Sequence, residues 1–164
     1  TGHLVLSTLH TNNSIGVIPR LIDMGIDPFL IAPTLIMAIG QRLARKLCPD
    51  SRKPMPLEGE AKIIIEREIA SMPDQQKKEA QALLKNEIYQ PEVGPTCPKG
   101  TRGRTGVFET LIMTPELEKI ILEAPSETKI QEEARRQGMI TMRQDGVMKV
   151  LQGAIGFEEL LEVV

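Results

Sequence analysis

Thr1-Gly2-His3-Leu4-Val5-Leu6-Ser7-Thr8-Leu9-His10-Thr11-Asn12-Asn13-Ser14 opens the 164-residue chain and holds both of its histidines. The stretch reads as an apolar run, a polar loop and a helix start. Leu4, Val5 and Leu6 predict a buried strand, with His10, Thr11, Asn12 and Asn13 following at its carboxyl end. In an α/β protein that edge gathers the loops that bind ligands. There is no initiator Met, and a core strand is expected to begin three residues in, so the sequence reads as a piece of a longer protein.

Outward from this stretch, Asn13 or Ser14 predicts a cap for a helix running to about Met24, where Gly25 stops it. Ile15, Ile18, Leu21 and Ile22 recur at helical spacing on it. Asp27-Pro28 starts a second apolar segment from Phe29 to Ile39, which Gly40 separates from Gln41 to Leu47. The imperfect alternation of that last run fits a strand or a helix end, and we prefer the strand. From Pro49 to Pro56 the composition shifts to proline, charge and turn residues, marking a boundary. Residues 58–70 and 74–88 predict two charged helices split at Met72-Pro73-Asp74, with Asp74 a candidate cap. After a break from Pro91 to Pro98, Gly106 to Met113 predicts a strand. Thr114-Pro115-Glu116 and Ser126-Glu127-Thr128 open helices by N-cap chemistry, and Thr141 to Gln152 and Phe157 to Val163 complete a helical C-terminal region. The expected fold class is α/β, with residues 1–48 carrying sheet and helices, 49–98 a helical insertion and 99–164 a strand plus helices.

Composition narrows the function. Aromatic residues make up only 2% of the chain, so the core is aliphatic and a base-stacking platform for single-stranded nucleic acid has no material. A net charge of −2 gives no general pull towards DNA or an anionic membrane. The basic residues Arg42, Arg45, Lys46, Arg52 and Lys53 lack aromatic interleaving and read as a solvated face or subunit contact. Arg104 is expected to pair with an acid across the Gly103–Gly106 turn. Ile63, Ile64, Ile65 and Ile69 are expected to pack on the body of the domain, and Met139, Met142 and Met148 to fill core. Cys48 and Cys97 do not make a disulfide framework, which fits a reducing cytosol.

A lone histidine after a strand is commonly a polar loop residue. His10, however, lies between Thr8 and Thr11 with Asn12 beside it. Four such side chains at a strand end can sense a terminal phosphate, an attacking water or a metal-bound oxygen. His3 has the plainer reading of an anchor before the strand.

The opening stretch resembles the histidine box of the secretion ATPases that drive type IV pilus assembly and type II secretion. The likeness continues through Pro19-Arg20-Leu21-Ile22-Asp23-Met24-Gly25-Ile26-Asp27-Pro28-Phe29 and Gln41-Arg42-Leu43-Ala44-Arg45-Lys46-Leu47-Cys48. It returns at Gly103-Arg104-Thr105-Gly106-Val107-Phe108-Glu109 and at Gly138-Met139-Ile140-Thr141-Met142-Arg143-Gln144-Asp145-Gly146. The resemblance implies the C-terminal part of a RecA-like P-loop NTPase domain in a hexameric ring, using ATP and Mg²⁺. It implies a cytoplasmic ATPase peripheral to the inner membrane, pushing on a platform protein there. His10 would face the γ-phosphate, with His3, Thr8 and Thr11 in the same box.

The departures are equally specific. The chain has no Gly-Lys pair and so no phosphate-cradling loop of the form G-x-x-x-x-G-K-[ST]. Alone, it is expected not to hydrolyse ATP. Family members often carry two C-x-x-C knuckles on one zinc; here they read Cys48-Pro49-Asp50-Ser51 and Cys97-Pro98-Lys99-Gly100, each short of one sulfur. The expectation is a zinc-free hairpin packed by its own residues. The alternative function is a non-enzymatic interaction module derived from such an ATPase. The isolated piece is expected to dimerise or exchange strands through an unpaired edge.

Overall fold

The computed structural model describes residues 2–164; Thr1, the first residue of the quoted stretch, lies outside the described residues. Two compact units share the chain, one made of the segment up to Gly40 with Leu111–Gln137, the other of Gln41–Thr110 with Gly138–Val164.

In the first unit, residues 2–11 form no helix or strand, and Leu4, Val5 and Leu6 are 75%, 77% and 91% exposed. This corrects the expected buried strand. An apolar run becomes a core strand only when neighbours satisfy its backbone and cover both faces, and no described strand lies beside it. Helix α1, Val17–Asp23, starts later than its apolar spacing suggests because a turn precedes it: Asn13 Oδ1 accepts from the Gly16 N–H at 2.8 Å, and Gly16 takes the cap position. Gly25, at φ +85°, ends the helix as expected. Asp27 caps α2, Pro28–Thr34, by accepting from the Phe29 N–H at 2.9 Å.

The apolar segment expected to run to Ile39 divides there, and its end joins strand β1, Met37–Leu47, with Gly40 inside the strand rather than before it. Strand β4, Thr101–Ile112, pairs with β1. Backbone bonds Met113 N–H to Ile36 O and Cys48 N–H to Gly100 O, at the two ends, set the pair antiparallel. Thr114 caps α5, Pro115–Glu123, and Ser126 caps α6, Glu127–Arg136, both as the sequence predicts. Ile18, Ile31, Leu117, Ile121 and Ile130 form the buried interior of this unit, where α2 packs on α5.

In the second unit, β2, Lys53–Pro56, and β3, Glu87–Gln90, pair antiparallel with Lys53 opposite Gln90 and Pro56 opposite Glu87. Between them lie α3, Gly59–Ala70, and α4, Asp74–Leu83. Helix α4 stops before residue 88 because Ile88 is drawn into β3 and is 1% exposed. Pro73 holds the cap position and Asp74 stands in the first turn. Ile65 and Ile69 are buried as expected, while Ile63 faces solvent. Helices α7, Met142–Leu151, and α8, Phe157–Val163, complete the core with Val107, Val147, Val150, Ile155 and Leu160. Mixed helix and strand agrees with the α/β expectation, but the strands pair as β1 with β4 and β2 with β3; among the described residues the expected parallel sheet is not assembled.

Candidate functional site

His10, His3 and Thr8 are exposed and stand in the irregular opening segment, whereas Thr11 is half-buried in the turn that leads to α1. Thr11 Oγ1 donates to the Asn13 carbonyl at 2.9 Å, and Asn13 in turn holds Gly16. Ser14 and Ile15 are buried, so the turn is fixed to the unit at its far end. The geometry is a free imidazole on the near side of an anchored polar turn. The structure keeps His10 and Thr11 adjacent but does not gather His3 and Thr8 with them into a pocket. No described group of three or more His, Cys, Asp or Glu side chains is placed to hold a metal ion. The 164 residues contain no phosphate-cradling loop of the form G-x-x-x-x-G-K-[ST].

Two of the resembling blocks are joined directly. The buried Glu109 of β4 accepts from the Met142 N–H, the first amide of α7, at 3.2 Å. One residue earlier, the Phe108 N–H donates to Asp145 Oδ2 at 2.8 Å, and Asp145 also pairs with Lys149. Thr141 and Gln144 close a reciprocal capping box on the same helix end, and Gln144 reaches Ser71 Oγ at 3.1 Å. Anionic acceptors at a helix start satisfy orphan amides and complement the dipole. Sequence reasoning named both blocks but missed this link; the available signal was an acid in each block, Glu109 in β4 and Asp145 in the first turn of α7. Gly103 to Gly106, expected to form a turn, lies inside β4 instead, and Arg104, expected to pair across that turn, is exposed and makes no ion pair among the described residues.

In the first unit, Glu133 is 5% exposed and receives Arg136 through two bonds, Nε to Oε2 at 2.6 Å and Nη2 to Oε1 at 2.8 Å. The Thr114 hydroxyl donates to it at 3.1 Å and Gln137 Nε2 at 3.4 Å. The Arg136 guanidinium, working against the cost of burial and helped by Gln137 and Thr114, holds the Glu133 carboxyl below its ordinary range. This carboxylate ties the start of α5 to the end of α6.

Cys48 and Cys97 are joined as a disulfide across 49 residues, with a Cα separation of 6.5 Å. The bond corrects the expectation of two unlinked thiols. Each cysteine also opens a tight turn: the Ser51 N–H donates to Cys48 O at 3.2 Å and the Gly100 N–H to Cys97 O at 3.1 Å. The two sequence remnants of a knuckle are thus brought face to face.

Comparison with known proteins places these features. The sequence model of a family described as "Type II/IV secretion system protein" matches residues 1–162. Type II secretion system protein E of Aeromonas hydrophila is 40% identical over 164 residues, covering 99% of this chain and 30% of that protein. Type II secretion system ATPase E of Vibrio cholerae is 39% identical over 164 residues, with the same coverage. Type IV pilus assembly ATPase PilB of Acinetobacter baylyi is 36% identical over 163 residues, covering 99% of this chain and 27% of that protein. The chain therefore spans about three-tenths of the length of the curated relatives it matches. With histidine loop, β4–α7 link and paired knuckles all falling inside the matched span, the chain belongs to the type II/IV secretion system protein family.

Proposed function

We propose that this chain is the C-terminal part of a hexameric ATPase that powers type II protein secretion or type IV pilus assembly. The observation that carries the reading is the family match across residues 1–162. His10 is the sensing residue of that machine. Its imidazole, exposed beside a turn pinned by Thr11 and Asn13, is free to hydrogen-bond the γ-phosphate of a nucleotide held elsewhere in the protein. ATP with Mg²⁺ supplies the phosphate charge that the loop reads; the cradle and the Mg²⁺-binding acids come from outside these 164 residues. Thr8 and Thr11 support the loop, and His3 anchors its approach. Leu4, Val5 and Leu6 enter a RecA-like parallel sheet when the rest of that sheet lies beside them.

Motion at the histidine loop reaches the platform protein of the inner membrane through the body of the domain, from the cytoplasmic side. No described helix is long and apolar enough to cross a membrane. The test is ATP turnover by the full-length protein and its His10→Ala variant. We expect turnover to fall about tenfold or more in the variant, the scale of losing one positioned polar group at a reacting charge. Wild-type turnover by the variant removes His10 from the mechanism. Absence of nucleotide binding by the full-length wild type replaces the engine with a partner-binding module.

A further inference from the structure

The family's knuckle implies zinc, and the residues present do not fit it. A closed structural zinc site takes four ligands, commonly thiolates. Here only two sulfurs exist, and they are bonded to each other. At the last position of the first turn, where a C-x-x-C knuckle has its second cysteine, stands Ser51, whose Oγ is buried and has no hydrogen-bond partner among the described residues. At the matching position of the other turn stands Gly100, at φ +67°. A Cβ on Gly100 would come within 2.9 Å of the Glu92 backbone nitrogen and 3.0 Å of Pro91 Cβ, so no side chain can be presented there. Asp50, the nearest additional oxygen donor in sequence, is exposed.

We propose that the Cys48–Cys97 bond takes the place of the metal, so that the helical insertion of this chain is fastened by a redox couple rather than by zinc. The bond closes a loop that contains β2, α3, α4 and β3. Around it, Cys48 N–H donates to Gly100 O at 3.1 Å, and Gly94 and Cys97 exchange backbone bonds at 3.1 and 3.0 Å. Closure proceeds by exchange with a small-molecule disulfide. One cysteine thiolate attacks it and releases one small thiol; the second thiolate then attacks the mixed disulfide and releases the other. The two small thiols carry away the two electrons and two protons, and an excess of thiol reverses both steps. Cys48 and Cys97 are 1% and 3% exposed, so exchange waits for a local opening of the base. The clasp is therefore slow and persistent, not a catalytic dithiol. Because Ile65, Ile69 and Ala80 stay buried through other contacts, opening loosens the base of the insertion and leaves its helices packed.

The test uses the full-length protein, purified without reductant and exposed to excess zinc. Non-reducing digestion should yield a peptide joining Cys48 to Cys97, and metal analysis should find no zinc assigned to these residues. Hydrogen exchange should quicken about tenfold across residues 48–56 and 87–100 on reduction by a dithiol, and equally in a Cys48→Ser, Cys97→Ser double variant, while residues 115–136 keep their rates. Alkylation of both thiols in the unreduced protein, zinc that is lost in the double variant, or exchange unchanged by reduction would each overturn the proposal.

Discussion

Gly146 lies in the middle of α7, where glycine is a poor helix former, and the structure supplies a steric reason for it. A Cβ built there overlaps Leu160 Cδ1 of α8 and comes within 3.5 Å of Leu160 Cγ and 3.6 Å of Val107 Cγ1. Leu160 and Val107 are both fully buried, so neither can swing aside without moving a helix or strand. In Gly146→Ala, overpacking costs about 2 kcal/mol and the gain in helix propensity returns about 1 kcal/mol, a net loss of about 1 kcal/mol. Leu160→Ala alone leaves a cavity and costs about 2–5 kcal/mol. In that background the alanine methyl at 146 keeps only the ordinary contact with Val107 Cγ1 at 3.6 Å, so Gly146→Ala should stabilise by about 1 kcal/mol. The sign reverses, and the coupling between the two sites is about 2 kcal/mol. Denaturant unfolding followed by far-ultraviolet circular dichroism measures all four proteins, and hydrogen exchange of α7 peptides locates the effect. Equal effects of Gly146→Ala in both backgrounds, or stabilisation in the wild type, would refute the steric account.

Three further outcomes are expected. Glu109→Ala strands the buried Met142 amide and should lower stability by about 1–3 kcal/mol in thermal unfolding, with faster exchange at the start of α7; an unchanged melting curve would show that the β4–α7 link carries no weight. Glu133 has its folded pKa depressed below the unfolded value of about 4.3, so its contribution is complete above that value and lost as pH falls through the folded one. Exchange protection in α5 and α6 should therefore decline with acid in the wild type, and a Glu133→Gln variant should show no decline from this group in that window. Finally, the isolated 164-residue chain should self-associate through Leu4, Val5 and Leu6, and Leu4→Lys with Leu6→Lys should reduce the association; light scattering that finds the unsubstituted chain strictly monomeric when concentrated would count against it.

Most helix starts were legible because their chemistry is local. Thr114 and Ser126 each cap within three residues of themselves and the structure uses both, whereas the caps expected at Asn13 or Ser14 and at Asp74 fall to Gly16 and Pro73. The prediction weakened where the partner was distant. Ile88 reads as the end of a helix until β2 is known to lie opposite it, and nothing in residues 74–88 announces that pairing. The disulfide was misread for the same reason. Cysteine count and spacing argue for a reduced protein, while the pairing of Cys48 with Cys97 depends on β1 and β4 bringing chain positions 49 residues apart to one place. Leu4, Val5 and Leu6 are the sharpest case. Their pattern predicts a buried strand only where neighbouring strands lie beside it, and periodicity does not say whether such neighbours are within reach.

The same contrast separates the sequence blocks by kind. Gly103–Glu109 and Gly138–Gly146 complete one another: Phe108 meets Asp145, Glu109 meets Met142, and Gly146 lets α7 approach Leu160 and Val107. Phe108, Glu109, Asp145 and Gly146 each have a partner that enforces them, so that part of the resemblance to the family follows from folding. The histidine loop is different. Thr11 and Asn13 are spent on the turn, whereas the side chains of His10, Thr8 and His3 face solvent. Packing does not require a histidine at an exposed position, and in the proposed function His10 answers to the nucleotide phosphate that comes to it. A variant at Glu109 or Gly146 should therefore change stability and leave an intact nucleotide site its chemistry, whereas one at His10 should do the reverse.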